Sequence, residues 1–150
     1  MNSYREPPRS PHWPKVEHNH LLVQPDCLVC GKGIKDGIKV NAHHRYPFSY
    51  VIAVGRSDLE LDERNLRTMC VDHDEEHHIL IGHLGCYESY NPELERFVAM
   101  CRGLTAIQIR SMKEWVNAAL LRPKPINQMN DLEKRVLRAE LDRLMPMVKK

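Results

Sequence analysis

The sequence predicts an α+β fold, in which a small core of two strands and one helix is braced by a structural zinc and flanked by further helices. Three observations predict it. Two short runs have the alternation of β-strands. A Cys-x-x-Cys knuckle precedes the first run, and six of the nine histidines lie between positions 43 and 83. Amphipathic helical spacing then dominates the last third of the chain.

The composition is that of a single globular domain. The 150 residues are 42% apolar and 28% charged, which is ordinary for a domain of this length. No run approaches the roughly 18 apolar residues that would span a membrane, and the N-terminal stretch lacks the apolar region of a secretory signal. We therefore expect a cytoplasmic protein without a membrane partner. In that compartment, five cysteines indicate metal binding rather than disulfides.

The N-terminal elements follow from proline content and apolar spacing. Residues 1–14 contain four prolines, which oppose a helix, so we expect a flexible Pro-rich arm. The apolar positions within 15–23 predict a short helix.

Two strands are predicted next. Residues 34–44 are expected to form a hairpin arm, with apolar residues on one face of its strand: Ile38, Val40 and Ala42. Residues 45–65 lack a clear period and are expected to form a long connecting loop. Residues 66–69 predict a short returning strand that ends at Cys70.

Helices are predicted after the second strand. A helix over 74–81 is favoured because acidic residues at 74–76 suit a helix N-terminus, and Gly82 or Gly85 would end it. Asn91 followed by Pro92 is typical of a cap and a first-turn proline, which predicts a helix through Cys101.

The chain from 102 to 150 is expected to be a basic helical extension. Residues 105–121 predict one amphipathic helix, and a second is predicted from Asn130 or Asp131 to Met145. The second carries an apolar stripe, made of Leu132, Val136 or Leu137, Leu141 and Leu144. The extension holds eleven Lys or Arg against five Asp or Glu, whereas the first 101 residues have a net charge of −4. It could contact phosphates, dock on the preceding helix, or form a homodimer.

The strongest local motif is Cys27-x-x-Cys30-Gly31. Two thiolates at this spacing can bind one zinc from a single turn, and the glycine lets backbone amides approach the sulfurs. Cys70, at the end of the predicted returning strand, supplies a third ligand. Either His73 or His77 could be the fourth, and both alternatives produce a Cys3His site.

The histidines form a second pattern. The segments KVNAHHRYP, LELDERNLRTMC, HHILIGHLG and SYNP occur in an order that resembles the HNH endonuclease family, whose core is the ββα-metal fold. The similarity covers roughly residues 13–92, including the Trp-Pro opening and the CxxCG knuckle. It implies a nuclease domain over 15–101 that hydrolyses phosphodiester bonds.

The resemblance also implies roles for individual residues. His44 corresponds to the general base and His43 to a ligand of the catalytic metal. Asn65 corresponds to the central Asn, which ties down the loop bearing His44, and His78 to a metal ligand on the helix. Since family members with a zinc knuckle usually have a Cys immediately before this last His, the resemblance favours His77 as the fourth zinc ligand.

Two positions depart from the usual pattern, and one remains open. His43 stands where many members have Asp, although His-His occurs in colicin-like nucleases, and Arg45 replaces an aliphatic residue, which could alter packing or add a phosphate contact. His83 lies about 140° from His78 on an ideal helix. It reaches the same ion only if Gly82 breaks the helix.

The chemistry of phosphodiester hydrolysis is consistent with these roles. A neutral histidine can accept the proton of a water at physiological pH, and a divalent ion can relieve charge on the phosphate. We expect structural Zn²⁺, a catalytic Mg²⁺, Mn²⁺ or Ni²⁺, and nucleic acid, chiefly double-stranded DNA, as the partner. The alternative is a zinc-ribbon module that binds nucleic acid without cutting it.

Overall fold

The centre of the fold is a two-stranded antiparallel hairpin. In the computed structural model, residues 7–71 and 76–148 are described. Strand β1 (Val40–His44) pairs with strand β2 (Leu66–Cys70), in a register that sets Val40 opposite Cys70 and His44 opposite Leu66. The expected α+β class and the pairing of these two segments are thereby confirmed, and the rest of the described chain is mostly helical.

The first helix covers one edge of the hairpin. Helix α1 (Trp13–Val23) has a proline in its first turn and buries Trp13 and His20, as the sequence predicts for 15–23. Glu17 of this helix accepts the backbone N–H of Ala42 at 3.2 Å, which satisfies one donor on the free edge of β1. Of the proposed N-terminal arm, residues 1–6 lie outside the described residues.

The prediction of a structureless loop over 45–65 is wrong. Helix α2 (Phe48–Ala53) and two short 3-10 helices, Ser57–Glu60 and Glu63–Asn65, occupy most of this stretch. These elements are too short to show a helical period in the sequence. They form because their apolar side chains, such as Val51 and Leu59, are almost completely buried, and burial of this kind outweighs weak local propensity.

The helix that was expected over 74–81 is partly replaced by another conformation. Residues 72–75 lie outside the described range, and the chain from His78 to Gly82 is a π-helix. The turn of a π-helix is wider than that of an α-helix, because its N–H groups bond five rather than four residues back. After this helix, the N–H of Gly85 donates to the carbonyl of Ile79 at 2.8 Å across Leu84, whose φ is 51°.

Four α-helices follow. They are α3 (Leu94–Cys101), α4 (Ala106–Ser111), α5 (Lys113–Leu120) and α6 (Asp131–Leu144). The single helix predicted over 105–121 is broken at Met112, whose backbone is extended with ψ of 132°. The predicted cap of the last helix is present, since the Asn130 side chain accepts the N–H of Glu133 at 2.8 Å.

The C-terminal helices contribute to two separate apolar clusters. Side chains of α3 and α4 join one apolar cluster with the knuckle and β2, whereas α6 packs Leu137 and Leu141 into a second cluster with α2. Of the two alternatives in the predicted stripe, Leu137 rather than Val136 is buried. The stripe is wrong at its two ends, because Leu132 is 64% and Leu144 45% exposed. Among the described residues, no helix has the length and hydropathy needed to cross a membrane.

Candidate metal centres

The knuckle brings four ligand atoms together. Cys27 and Cys30 lie on a tight turn in which Gly31 has φ of 70°, a conformation that glycine adopts without strain. The N–H of Leu28 donates to the carbonyl of Thr68 at 3.0 Å and so ties the turn to β2. One ligand atom from each of four residues lies within 4.8 Å of every other: Cys27, Cys30, Cys70 and His77.

The spacing of these atoms fits a tetrahedral zinc. His77 Nδ1 lies 3.2 Å from Cys70 Sγ and 3.7 Å from Cys27 Sγ. A zinc bound at about 2.3 Å from sulfur and 2.0 Å from nitrogen would hold such pairs about 3.5 Å apart. The group is therefore consistent with a Cys3His zinc site, with His77 as its nitrogen ligand. The alternative ligand His73 lies outside the described residues.

One thiol of this group, that of Cys27, is poised to lose its proton. The pKa of Cys27 is lowered to about 3, chiefly by a hydrogen bond from the Cys70 thiol and also by His77, against the opposing effect of burial. The same contact with Cys27, together with burial, raises the pKa of Cys70. The Cys27 thiolate is therefore stabilised by hydrogen bonds from Cys70 and His77. A zinc ion can bind the thiolate in place of these donated protons.

Three imidazoles form a second group on the other side of the hairpin. The ring centroids of His43, His78 and His83 are 4.9 Å apart in all three pairs. His83 Nδ1 donates to the carbonyl of Ser89 at 2.6 Å, so Nε2 of the neutral ring carries the lone pair. That atom lies 3.2 Å from His78 Nε2, close to the roughly 3.3 Å expected for two nitrogens on one tetrahedral ion.

His43 completes this group, and its ring makes no hydrogen bond to any described residue. Its ring is 1% exposed, and neither ring nitrogen has a hydrogen-bond partner. A buried imidazole without partners costs free energy. An ion shared with His78 and His83 would satisfy it, so this donor set also fits a metal.

The π-helix explains how His83 joins the group. Residues five apart lie above one another when hydrogen bonds span five residues, so the rings of His78 and His83 stand on the same side. Gly82 is also needed here, because a Cβ at this position would lie 3.0 Å from the His43 ring and 3.1 Å from Met69 Sδ. His77 and His78 are adjacent in the chain but belong to different groups: His77 lies with the three cysteines, and His78 lies with His43 and His83.

Burial keeps the three imidazoles neutral. It lowers the pKa of His43 well below the usual 6.5, with the charges of His78 and His83 lowering it further. The pKa of His78 falls to about 3 for the same two reasons, burial first and then the charge of His83. The pKa of His83 is also lowered by burial. Neutral imidazole is the form that binds metals.

His44 points away from His43 and is held separately. Its ring stacks on Trp13, with centroids 4.5 Å apart, and its Nε2 donates to the carbonyl of Glu60 at 2.8 Å. Since a carbonyl can only accept, neutral His44 has its proton on Nε2 and its lone pair on Nδ1. No described residue makes a hydrogen bond to Nδ1. Burial lowers the pKa of His44 to about 4.

Asn65 ties the chain on either side of α2. Its Oδ1 accepts the N–H of Tyr46 at 2.8 Å, and its Nδ2 donates to the carbonyls of Tyr46 and Leu59. Because Tyr46 follows His44 by two residues and Leu59 precedes Glu60, both sides of the His44–Glu60 contact are held by one buried amide. Asn65 is completely buried.

A cavity of about 300 Å³ opens beside the three-histidine group. His43, His44, His78 and His83 all line it, together with Phe48, Tyr87 and Arg9. Arg9 was not predicted to be a site residue, because it lies in a segment expected to be a flexible arm. Its guanidinium stands over the rings of Phe48 and Trp13, and no short motif marks such a contact.

Arg45 does not face this cavity. Its guanidinium donates to the carbonyls of Asn91 and Pro92 at 2.8 and 2.6 Å, and to Glu95 at 3.0 Å. All of these contacts lie within the protein. The arginine that stands here in place of an aliphatic residue therefore connects the end of β1 to the start of α3.

Comparisons with known proteins add no relative to this description. No family model matches the sequence, and neither a curated protein nor a solved structure matches it.

Proposed function

We propose that this protein is an HNH-type endonuclease that hydrolyses phosphodiester bonds in DNA, with His44 as the general base and a divalent ion on His43, His78 and His83. One observation carries the proposal. His44 Nδ1, to which no residue of the described ranges makes a hydrogen bond, belongs to a side chain that lines the same cavity as the three-histidine group. A base and a metal-binding group around one cavity are the two requirements of metal-assisted hydrolysis.

The contacts of His44 suit a base. The Glu60 carbonyl selects the tautomer with its lone pair on Nδ1, and the stacked Trp13 ring holds the orientation. A low pKa keeps His44 unprotonated at neutral pH, so the lone pair is available to accept a proton from water. Asn65 acts as a positioning residue, because it holds the two chain segments whose contact orients His44.

The three-histidine group determines which ions are suitable. When bound, a divalent ion would supply Lewis-acid stabilisation of charge on the phosphate and the leaving oxygen. Three imidazoles leave coordination positions open, as in catalytic sites with three protein ligands. Imidazole suits Ni²⁺ and Zn²⁺, whereas Mg²⁺ prefers oxygen ligands. Among the three ions expected from the sequence, the donor set favours Ni²⁺ over Mn²⁺ and both over Mg²⁺.

The test is cleavage of supercoiled plasmid DNA with added Ni²⁺, Mn²⁺ or Mg²⁺. We expect the wild type to nick the plasmid and His44→Gln to lose about 10²- to 10⁴-fold in rate, the usual contribution of a general base. Glutamine keeps an N–H near the Nε2 position but offers no base. His18→Gln is the matched control, since His18 is exposed on α1. Equal cutting by both variants would remove His44 from the mechanism.

Binding without cutting would favour the non-catalytic alternative. If the wild type shifts labelled DNA in a gel but leaves plasmid intact with all three ions, the protein is a zinc-containing binding module. The three-histidine group would then be a second structural site.

A further inference from the structure

Building on the proposed function, we infer that Arg9 is the phosphate-binding cation of the cavity and that Glu60 is a positioning residue that holds Arg9 and His44 in one frame. The sequence suggested neither role. Both depend on contacts that join the N-terminal segment to the chain between the two strands.

Arg9 is a charged group held against two aromatic rings. Its guanidinium carbon lies 4.4 Å from the centre of the Phe48 ring and 5.2 Å from that of Trp13. Among residues 7–71 and 76–148 it makes no ion pair with a carboxylate. Two aromatic faces orient a guanidinium through cation–π contacts and leave its N–H edge free, and that edge matches two oxygens of a phosphate.

Arg9 lies at the cavity that both parts of the candidate site share. It lines this cavity together with His44 and His78. A phosphate that occupies the cavity would therefore lie between the guanidinium, the base and the three-histidine group.

Glu60 contacts both sides of this arrangement. Its side chain is 5% exposed, and Oε2 accepts the backbone N–H of Ser10 at 2.9 Å. Its backbone carbonyl accepts from His44 Nε2 at 2.8 Å. One residue thus fixes the neighbour of Arg9 through its carboxylate and fixes the base through its backbone. A buried carboxylate is costly without partners, so Ser10 is held firmly.

The rival explanation is that Arg9 only covers the Phe48 and Trp13 rings. Binding of DNA distinguishes the two, because a lost phosphate contact changes the salt dependence of affinity and lost packing does not. The experiment measures anisotropy of a fluorescent DNA duplex over a series of salt concentrations, using the full chain without added divalent ion. We expect Arg9→Gln to weaken binding about tenfold and to reduce the slope of log K against log salt by about 0.9.

Arg96→Gln is the matched control, since it removes the same charge from an exposed position on α3, outside the basic extension. We expect a change of less than twofold for this variant. Equal effects of Arg9→Gln and Arg96→Gln would overturn the role of Arg9.

Substitutions at position 60 test the positioning role. Glu60→Ala keeps the backbone carbonyl but releases Ser10, so we expect the same loss of affinity and slope as in Arg9→Gln. The double variant should show no further loss, because both changes remove one contact. Glu60→Gln retains an oxygen that accepts the Ser10 N–H and should restore binding to within about twofold. Additive losses in the double variant, or no rescue by glutamine, would overturn the role of Glu60.

This test is separate from the test of catalysis. If binding changes as expected and the wild type cuts no DNA, the proposed nuclease activity is wrong and the phosphate contact stands. If the wild type cuts DNA and Arg9→Gln retains its affinity and salt slope, only the inference about Arg9 fails.

Discussion

His83 Nε2 lies 3.2 Å from His78 Nε2, although five residues of an ideal α-helix would turn these side chains about 140° apart. The π-helix between them brings both rings to the same side, where His43 meets them. A wide helical turn beside a three-imidazole group is consistent with the frequent occurrence of π-helical turns at functional sites.

The first prediction concerns Gly82. In Gly82→Ala the new Cβ would lie 3.0 Å from the His43 ring and 3.1 Å from Met69 Sδ, so the ring must shift by a few tenths of an ångström. We expect Ni²⁺ affinity of the three-histidine group to fall at least tenfold, while zinc on the cysteine group is retained. Calorimetric titration with Ni²⁺, together with elemental analysis for zinc, measures both. Unchanged Ni²⁺ affinity would show that His43 is not a ligand.

The second prediction concerns Cys27. Because the binding energy of a structural zinc is folding energy, Cys27→Ala should lose zinc and unfold at temperatures where the wild type is native. Circular dichroism and zinc analysis of the purified protein measure this. Cys86→Ala is the control, since Cys86 lies outside the four-residue group and should keep both its fold and its zinc. A folded variant of Cys27 without zinc would contradict the structural role.

The third prediction concerns pH. The pKa of His44 is about 4 in the folded protein and 6.5 in an unfolded chain, so the unfolded chain binds more protons between these values. The free energy of unfolding therefore falls as pH drops below 6.5. Compared with His44→Gln, the wild type should lose about 1.4 kcal/mol more per pH unit below pH 6. Urea unfolding at pH 7, 6 and 5 measures the difference; parallel pH profiles would contradict it.

The fourth prediction concerns Arg56, whose completely buried guanidinium joins the turn after α2 to the end of α6. It bonds Asp142 at 2.9 Å and the carbonyl of Met145 at 2.6 Å. Arg56→Met should lower the free energy of unfolding by about 1–3 kcal/mol, because these acceptors lose a charged donor. Arg135→Met, on an exposed part of α6, should change it by under about 0.5 kcal/mol. Equal unfolding midpoints in urea for Arg56→Met and the wild type would show that the contacts of Arg56 do not stabilise the fold.

The sequence was informative where chemistry depends on short spacing. Cys27 and Cys30 indicate a metal ligand pair because two residues between cysteines are enough to form the turn. The strands around Ala42 and Thr68 were equally readable, since alternation is a local property. The cap at Asn130 follows from the same kind of local signal.

The rest depends on contacts between distant segments. The π-helix over 78–82 has no sequence signature, so the participation of His83 could not be decided in advance. Helix α2 is stabilised by burial rather than by a period, and Met112 ends α4 although nothing in its side chain opposes a helix. Arg9 acquires its surroundings from Phe48, almost forty positions away, and no local pattern encodes such a pairing.

The peptide bond between His77 and His78 joins the two candidate centres directly. A rigid link of this kind couples their occupancies: filling the cysteine group would restrict the conformations open to His78 and so lower the entropy that the second ion must overcome. Zinc on the cysteine group should consequently raise the affinity for the second ion. By reciprocity, an ion on the three histidines should raise the affinity for zinc by the same factor, so that a chelator removes less zinc at equilibrium.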